Sequence, residues 1–273
     1  MISVDVTGAG TTLRAVGSKR EFKMRSMHAS DYPHLPQPTG KEFTIKADTL
    51  SNLLELVSFS AALDESRPQL NCALFEANGG DVRMVTTDGH RLTTAAMDYD
   101  GPDFSMLVPQ KTFAPLRELT GTVHVSDSPA NVFFETEAVK LSFKKTDAAF
   151  PPWRNVMPKP PSYLIADRAL LADALRAMTV SANTRTTSVT MQVTNGTLRL
   201  TSESSDGTAR DEFAVDYTGS DITVAFSARY MLDALGVLTE PQVRIGLDGT
   251  LDPIKITPES ARDYTAVIMP VRL

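Results

Sequence analysis

Asp88 and His90 stand two residues apart in the stretch Thr86-Thr87-Asp88-Gly89-His90-Arg91-Leu92, close enough for a carboxylate and an imidazole to share a proton. That pairing is a starting point for general acid–base chemistry. Such chemistry also needs a nucleophile, a metal-ligand spacing or a phosphate-cradling loop, and no such feature accompanies the pair. The remaining histidines, His28, His34 and His124, lie in separate segments and suggest no metal site. The single cysteine, Cys72, excludes an internal disulfide and a cysteine-based zinc site. It suits a reducing cytoplasm and reads as a small buried residue in a strand from Asn71 to Glu76. No enzyme activity, cofactor or metal is expected, and His90 reads as a packed, hydrogen-bonded residue.

The elements around this stretch must position it. Val85 to Thr87 is a β-branched run, and Asp88-Gly89 reads as a two-residue hairpin turn whose members both tolerate positive φ. The chain has 273 residues, 42% hydrophobic and 22% charged, which allows two ordinary soluble domains with real cores. No apolar run approaches the ~18 residues that would span a membrane, and no signal peptide opens the sequence, so a cytoplasmic location is expected. A net charge of −6 argues against tight, charge-driven binding to nucleic acid, which needs many Lys and Arg on phosphates, yet allows weak contact.

In chain order, Ile2, Val4 and Val6 alternate, a Gly-Ala-Gly-Thr turn follows, and Leu13 and Val16 continue a hairpin ending on the extended run Arg20 to Met24. A Pro-rich link covers Asp31 to Pro38. A strand at 43–46 then leads to a helix with Asp48 as N-cap and Leu50, Leu53, Leu54 and Val57 on one face. Strands are expected at 70–77, 82–87, 91–97 and 105–108, a helix at 110–119, and strands at 122–126, 130–135 and 138–144. After a second Pro-rich link, Phe150 to Pro158, the pattern restarts. Tyr163 to Ile165 leads to a helix over 167–180 carrying Leu170, Leu171, Ala174, Leu175 and Met178. Strands at 189–193, 198–202, 210–215 and 222–226 follow, then a helix over 228–238 and strands at 242–247, 252–257 and 263–269. Asp88 and Asp206, Pro33 and Pro151, and Val108 and Phe226 are each 118 residues apart. One spacing at three unrelated landmarks indicates a duplicated domain, each copy built of two βαβββ halves. The fold class is α+β: antiparallel sheets with paired helices on one face.

Several blocks resemble the bacterial replicative sliding clamps, the β subunits of DNA polymerase III. They are Asp64-Glu-Ser-Arg-Pro-Gln-Leu-Asn71, Val85-Thr-Thr-Asp-Gly-His-Arg-Leu92, Val108-Pro-Gln-Lys111, Phe150-Pro-Pro-Trp-Arg-Asn-Val-Met-Pro158 and Val267-Ile-Met-Pro-Val-Arg-Leu273. The resemblance implies residues 1–40 as the last hairpin and linker of an incomplete first clamp domain, 41–158 as the second domain and 159–273 as the third. It implies a processivity factor that encircles duplex DNA without sequence preference and tethers DNA polymerase III and other polymerases, loaded by a clamp loader. Partners would insert a short peptide with a Gln-x-x-Leu-Phe-type anchor into a pocket walled by Leu70, Thr87, Gly89, His90, Arg91, Leu92, Pro151, Val156, Val267, Met269, Pro270, Val271 and Arg272. Arg91 and Arg272 would supply a polar rim to an apolar floor. Asn155 stands where the family commonly carries a basic residue, and Arg185 where it often places an aromatic. Weak phosphate contacts would come from Lys46, Arg67, Lys111, Arg117, Arg168, Arg176 and Arg229 on or beside channel-lining helices. Self-association into a ring would join Arg20, Phe22 and Met24 of one copy to Thr179 and Val180 of the next. The alternative is a clamp relative that binds partner peptides without closing a ring. The unsupported hairpin 2–26 favours monomer or weak dimer in dilute solution, with a trimer of two-domain units as the competing assembly.

Overall fold

Period-two alternation from Ile2 to Met24 folds as three strands rather than a hairpin. In the computed structural model, which describes residues 1–7, 10–182, 186–205 and 207–272, the chain forms two units divided between Gln37 and Pro38. Gly8 and Ala9 of the expected first turn, Arg185, Asp206 and Leu273 lie outside the described residues. The first unit is an antiparallel meander of β1 (Ile2–Thr7), β2 (Gly10–Ala15) and β3 (Glu21–Arg25). The third strand returns because Gly17, at φ +84°, turns the chain after β2. Directly opposed residues share a face, so Val4, Leu13 and Phe22 form one row and Val6, Thr11 and Met24 the next. The other face is polar, with Arg14 paired to Asp5 and Glu21. Arg20 lies just before β3, and none of the unit's described residues is buried.

The second unit passes twice through one pattern. The first pass is β4 (Glu42–Lys46), α1 (Ala47–Val57), β5 (Cys72–Asn78), β6 (Asp81–Thr87), β7 (Arg91–Asp98), β8 (Phe104–Pro109), α2 (Phe113–Arg117), β9 (Thr122–Asp127), β10 (Asn131–Glu135) and β11 (Lys140–Lys144). The second is β12 (Ser162–Asp167), α3 (Arg168–Thr179), β13 (Ser188–Thr194), β14 (Thr197–Ser204), β15 (Gly207–Ala214), the short β16 (Asp216–Tyr217), β17 (Ile222–Ser227), α4 (Ala228–Gly236), β18 (Gln242–Leu247), β19 (Ile254–Pro258) and β20 (Tyr264–Ile268). Each pass is a pair of βαβββ halves, with β16 as a small addition. Val108 and Phe226 hold matching places, opposite Ala73 and Val189 on the neighbouring strands.

The sheets do not stop at the boundary between passes. Two four-stranded sheets, β11-β10-β9-β4 and β15-β14-β13-β17, stay within their own repeats. The third is nine-stranded, β16-β12-β18-β19-β20-β7-β6-β5-β8, and crosses from one repeat to the other where β20 pairs antiparallel with β7. Strand periodicity cannot reveal this joint, because it depends on which free edge meets which.

Helix periodicity places the core correctly. Leu50, Leu53, Leu54 and Val57 of α1 are buried, as are Leu171, Ala174, Leu175 and Met178 of α3, whereas Leu170 faces out. Three local expectations differ. Lys46, not Asp48, is the N-cap of α1, and Asp48 sits inside the first turn, where its charge still complements the helix dipole. The helix expected over 110–119 is a 3-10 turn, Gln110–Thr112, followed by only Phe113–Arg117. Gly121 at φ +75° then starts β9. Residues 70 and 71 form a turn, Leu70 donating its N–H to the Arg67 carbonyl at 2.9 Å, so β5 starts at Cys72. Cys72 is buried, and burial pushes its thiol up to about 11.

Tyr264 carries a polar tip into the second repeat's core. Its hydroxyl donates to the Ala234 carbonyl at 3.1 Å, in the last turn of α4, where a helix leaves carbonyls without partners. Burial raises its pKa, so it stays a donor at all ordinary pH. Tyr264→Phe should lower stability by about 1 kcal/mol in urea unfolding without a change of slope.

Candidate functional site

Thr87 and Leu92 are the last paired residues of the β6–β7 hairpin, and beyond them Asp88, Gly89 and His90 run to Arg91, the first residue of β7, whose carbonyl accepts the Asp88 N–H at 3.4 Å. Only Gly89 has positive φ, +92°. The expected two-residue turn is therefore replaced by a loop held by side chains. Asp88 Oδ1 accepts the backbone N–H of His90 at 2.9 Å and of Arg91 at 3.0 Å. Thr87 Oγ1 donates to the Arg91 carbonyl at 2.6 Å and accepts from Gly89 N–H at 3.1 Å. Asp88 is thus an acceptor that shapes the loop, and the His90 side chain is exposed rather than packed.

Arg91, expected on a polar rim, is 9% exposed. Its Nε donates to Asp88 Oδ2 at 3.0 Å and its Nη1 to Asp233 Oδ2 at 2.5 Å. Its guanidinium lies 4.4 Å from the Tyr230 ring centroid and 5.4 Å from that of Phe59. Tyr230 and Asp233 belong to α4, so Arg91 ties the β6–β7 loop of the first repeat to a helix of the second. A planar, always-charged group suits this place, since it can bridge two carboxylates and stack on rings together. Arg83 makes a second cross-repeat tie, with Nη2 2.5 Å from Asp263 Oδ2.

The backbone joins the same region. Met269 N–H donates to the His90 carbonyl at 2.9 Å, and Val271 N–H to the Ala225 carbonyl on β17 at 2.7 Å. The same strands carry a small apolar cluster separate from the main core: Val85, Leu92, Trp153 and Val267, with Leu74, Phe150 and Met157 against it. Leu92 and Val267 face each other across the β7–β20 pairing. Trp153 arrives from the Pro-rich link through a 3-10 turn, Trp153–Val156, and Arg154 lies 4.3 Å from its ring. At the surface stand Val156 and Met269, 56% and 44% exposed, with Pro151, Pro270 and Val271 half-buried and Gly89, His90, Asn155 and Arg272 exposed.

Of the expected pocket residues, the structure gathers Thr87 and Gly89 to Leu92 with Val267 and Met269, and Pro151 and Val156 flank Trp153 of the same cluster. Leu70 is buried in the turn before β5, outside this cluster. Sequence reading missed Trp153, Asp233, Tyr230 and Phe59. Trp153 had a signal, a large aromatic inside a link otherwise unfit for a core, whereas the other three are fixed by tertiary packing.

The expected phosphate contacts divide. Lys46, Arg67, Lys111, Arg117, Arg176 and Arg229 are exposed, Arg67 3.4 Å from Asp64 and Arg117 3.9 Å from Glu55. Arg168 is half-buried, its Nε donating to the Glu240 carbonyl at 2.8 Å, which makes it a tie between α3 and the loop before β18. Of the expected interface residues, Phe22, Met24 and Val180 are exposed, while Thr179 donates its hydroxyl to the Arg176 carbonyl at 2.6 Å. Among the described residues no helix is long and apolar enough to cross a membrane.

Tandem α+β repeats joined edge to edge define the class of sliding-clamp folds. A Pseudomonas aeruginosa DNA polymerase III β subunit superposes with a TM-score of 0.93 at 27% identity, over 99% of this chain and 77% of that one. The β subunit of Thermotoga maritima gives 0.90 at 25% identity, over 100% and 76%. The sequence agrees. Residues 44–152 match the central domain of the DNA polymerase III beta subunit family, and residues 154–272 its C-terminal domain. The beta sliding clamps of Proteus mirabilis and Escherichia coli K12 are each 30% identical over the whole chain, which spans 76% of either protein. The chain belongs to the DNA polymerase III β-subunit family, the bacterial sliding clamps.

Arg91→Ala should cost about 2–3 kcal/mol in urea unfolding, below the figure for a fully buried pair because Asp233 is a third exposed. Arg91→Lys should recover little, since an ammonium cannot serve both carboxylates and both rings. Near-complete recovery by Lys would remove the planar fork from the account.

Proposed function

We propose that the chain acts as a processivity clamp without catalysis, a protein that stays on duplex DNA by topology and tethers replication enzymes through the repeat junction. The observation that carries the tethering is the apolar cluster of Leu92, Val267 and Trp153 at the β7–β20 joint, with exposed Met269 following β20 and exposed Val156 closing the turn that carries Trp153. Met and Val on a rigid sheet offer a deformable floor to an extended peptide with hydrophobic anchors. Arg272 and His90 take the polar rim, while Arg91 holds the floor in place from below. The two passes of the second unit correspond to clamp domains 41–158 and 159–273, with 1–40 belonging to a further clamp domain. DNA polymerase III, other polymerases and a clamp loader are the partners of this reading, and the cytoplasm its location.

A net charge of −6 suits sliding better than gripping. Lys46, Arg67, Lys111, Arg117, Arg176 and Arg229 supply passing phosphate contacts, each worth a salt-dependence slope of about 0.9 and no high affinity. Ring closure joins Arg20, Phe22 and Met24 of one copy to the end of α3, Thr179 and Val180, on the next. A second reading, a clamp relative that takes partner peptides without encircling DNA, is favoured by the first unit, a three-stranded sheet with no buried residue among those described.

A fluorescein-labelled peptide with a Gln-x-x-Leu-Phe-type anchor should bind at about micromolar strength, near −8 kcal/mol. Met269→Asp combined with Val156→Asp should abolish it with the fold intact, because both side chains are exposed; Leu92, at 5% exposure, is unsuitable for this test. Undiminished affinity in the double variant would refute the site. Retention on nicked circular but not linear DNA, after loading, tests encirclement. Equal loss from both templates would favour the second reading.

A further inference from the structure

The chain has one tryptophan, and it stands in the junction cluster with its polar atom unused. Trp153 is 7% exposed, and its indole N–H is buried with no acceptor among the described residues. An indole nitrogen can only donate. Buried tryptophans ordinarily find it a partner, because a donor withdrawn from water and left unpaired costs stability. The backbone around the ring shows no such lapse. Trp153 N–H donates to the Pro151 carbonyl at 2.7 Å across Pro152, whose φ of −71° and ψ of 72° make an inverse γ-turn. Asn155 N–H donates to the Pro152 carbonyl at 3.0 Å. The exception is confined to the side chain.

Two features bring this donor within reach of a peptide on the junction. Leu92 and Val267, the apolar floor of the proposed pocket, belong to the same cluster as the ring. Val156 lies three residues on in the 3-10 turn, where side chains at that spacing eclipse, so it stands on the ring's side of the turn, exposed and able to move aside. The charges around the ring select the acceptor. The Arg154 and Arg83 guanidiniums lie 4.3 and 5.9 Å from its centroid, and each is already matched, Arg154 by Glu76 at 2.7 Å and Arg83 by Asp263 at 2.5 Å. A carboxylate arriving here meets no unmatched cation from either arginine, whereas a neutral amide oxygen needs none.

We infer that Trp153 is a peptide-binding residue: its indole N–H donates to an amide oxygen of the partner peptide beside the hydrophobic anchor. This rests on the tethering reading above and adds a directional contact to it. The apolar cluster accepts side chains by size, while one donor on a ring fixed by a γ-turn sets how the peptide lies across them. The donor is already desolvated in the free protein, so the peptide gains a bond for which that side has been prepared in advance.

With 15N-tryptophan the full chain gives one indole N–H resonance. Saturation with the Gln-x-x-Leu-Phe-type peptide should move the indole proton downfield. Exchanging the peptide's glutamine for methionine separates the two sources of an amide oxygen: loss of the shift assigns the side-chain carboxamide, persistence a backbone carbonyl. Biosynthetic replacement of the one tryptophan by 3-benzothienylalanine, which has sulfur in place of the N–H, should weaken the peptide roughly five- to tenfold without lowering the urea midpoint. An indole resonance that stays in place or moves upfield at saturation overturns the inference. So does undiminished affinity in the sulfur analogue, or a lost affinity accompanied by lost stability, which marks a packing role alone. A peptide that binds while the indole resonance stays put sinks this inference only; a peptide that binds neither protein sinks the tethering reading and this inference with it.

Discussion

The pairing of β20 with β7 is the contact on which the second unit depends. It joins two repeats that each bury their own core into one nine-stranded sheet. Five residue pairs of antiparallel ladder fix the register but supply little net energy, since each hydrogen bond replaces one to water and nets about 1 kcal/mol. Burial under the ladder contributes more: Leu92, Val267 and Val85 each represent roughly 1.5–3 kcal/mol of transfer from water, and Trp153 adds a larger surface. The ladder therefore decides which residues meet, and the apolar cluster holds them together. Arg91 and Arg83 act on either side as braces whose partners lie on the other repeat.

That division explains the chemistry of the junction. Asp88 looks like half of a catalytic pair until its oxygens are followed to two backbone N–H groups and the Arg91 side chain. A carboxylate so engaged shapes a loop, and the loop presents the His90 carbonyl to Met269. Residues that suggest proton transfer in one dimension become scaffolding in three.

How much of this was legible follows from what each pattern encodes. Helix faces were readable because Leu50, Leu53, Leu54 and Val57 recur at the period of a helix buried on one side. The duplication was readable because it rests on spacing alone, and Val108 and Phe226 do occupy matching places. Turn chemistry failed at Asp88-Gly89, since a dipeptide rule knows nothing of Thr87 and Arg91 closing a wider loop. The same limit hid Arg91: a charged residue beside a turn reads as surface, and only the arrival of Tyr230 and Asp233 from the second repeat makes it an interior one. Trp153 shows the converse, an aromatic whose burial was hinted at by its type but whose neighbours were not.

The joint between repeats also sets an order of events at the ribosome. Arg83 and Asp263, which brace it, are 180 residues apart, and β7 meets β20 at a comparable distance. While the chain is being made, β7 emerges early and keeps an unpaired edge until the whole second repeat has followed. At 5–20 residues per second that delay is on the order of ten seconds or more. During it, Leu92 and Thr93 lie on an open strand that a neighbouring nascent chain could join. Arg91 at the strand's start, with its charge not yet neutralised by Asp233, would then discourage such mispairing. The residue that braces the finished junction would thus also guard its unfinished edge during synthesis.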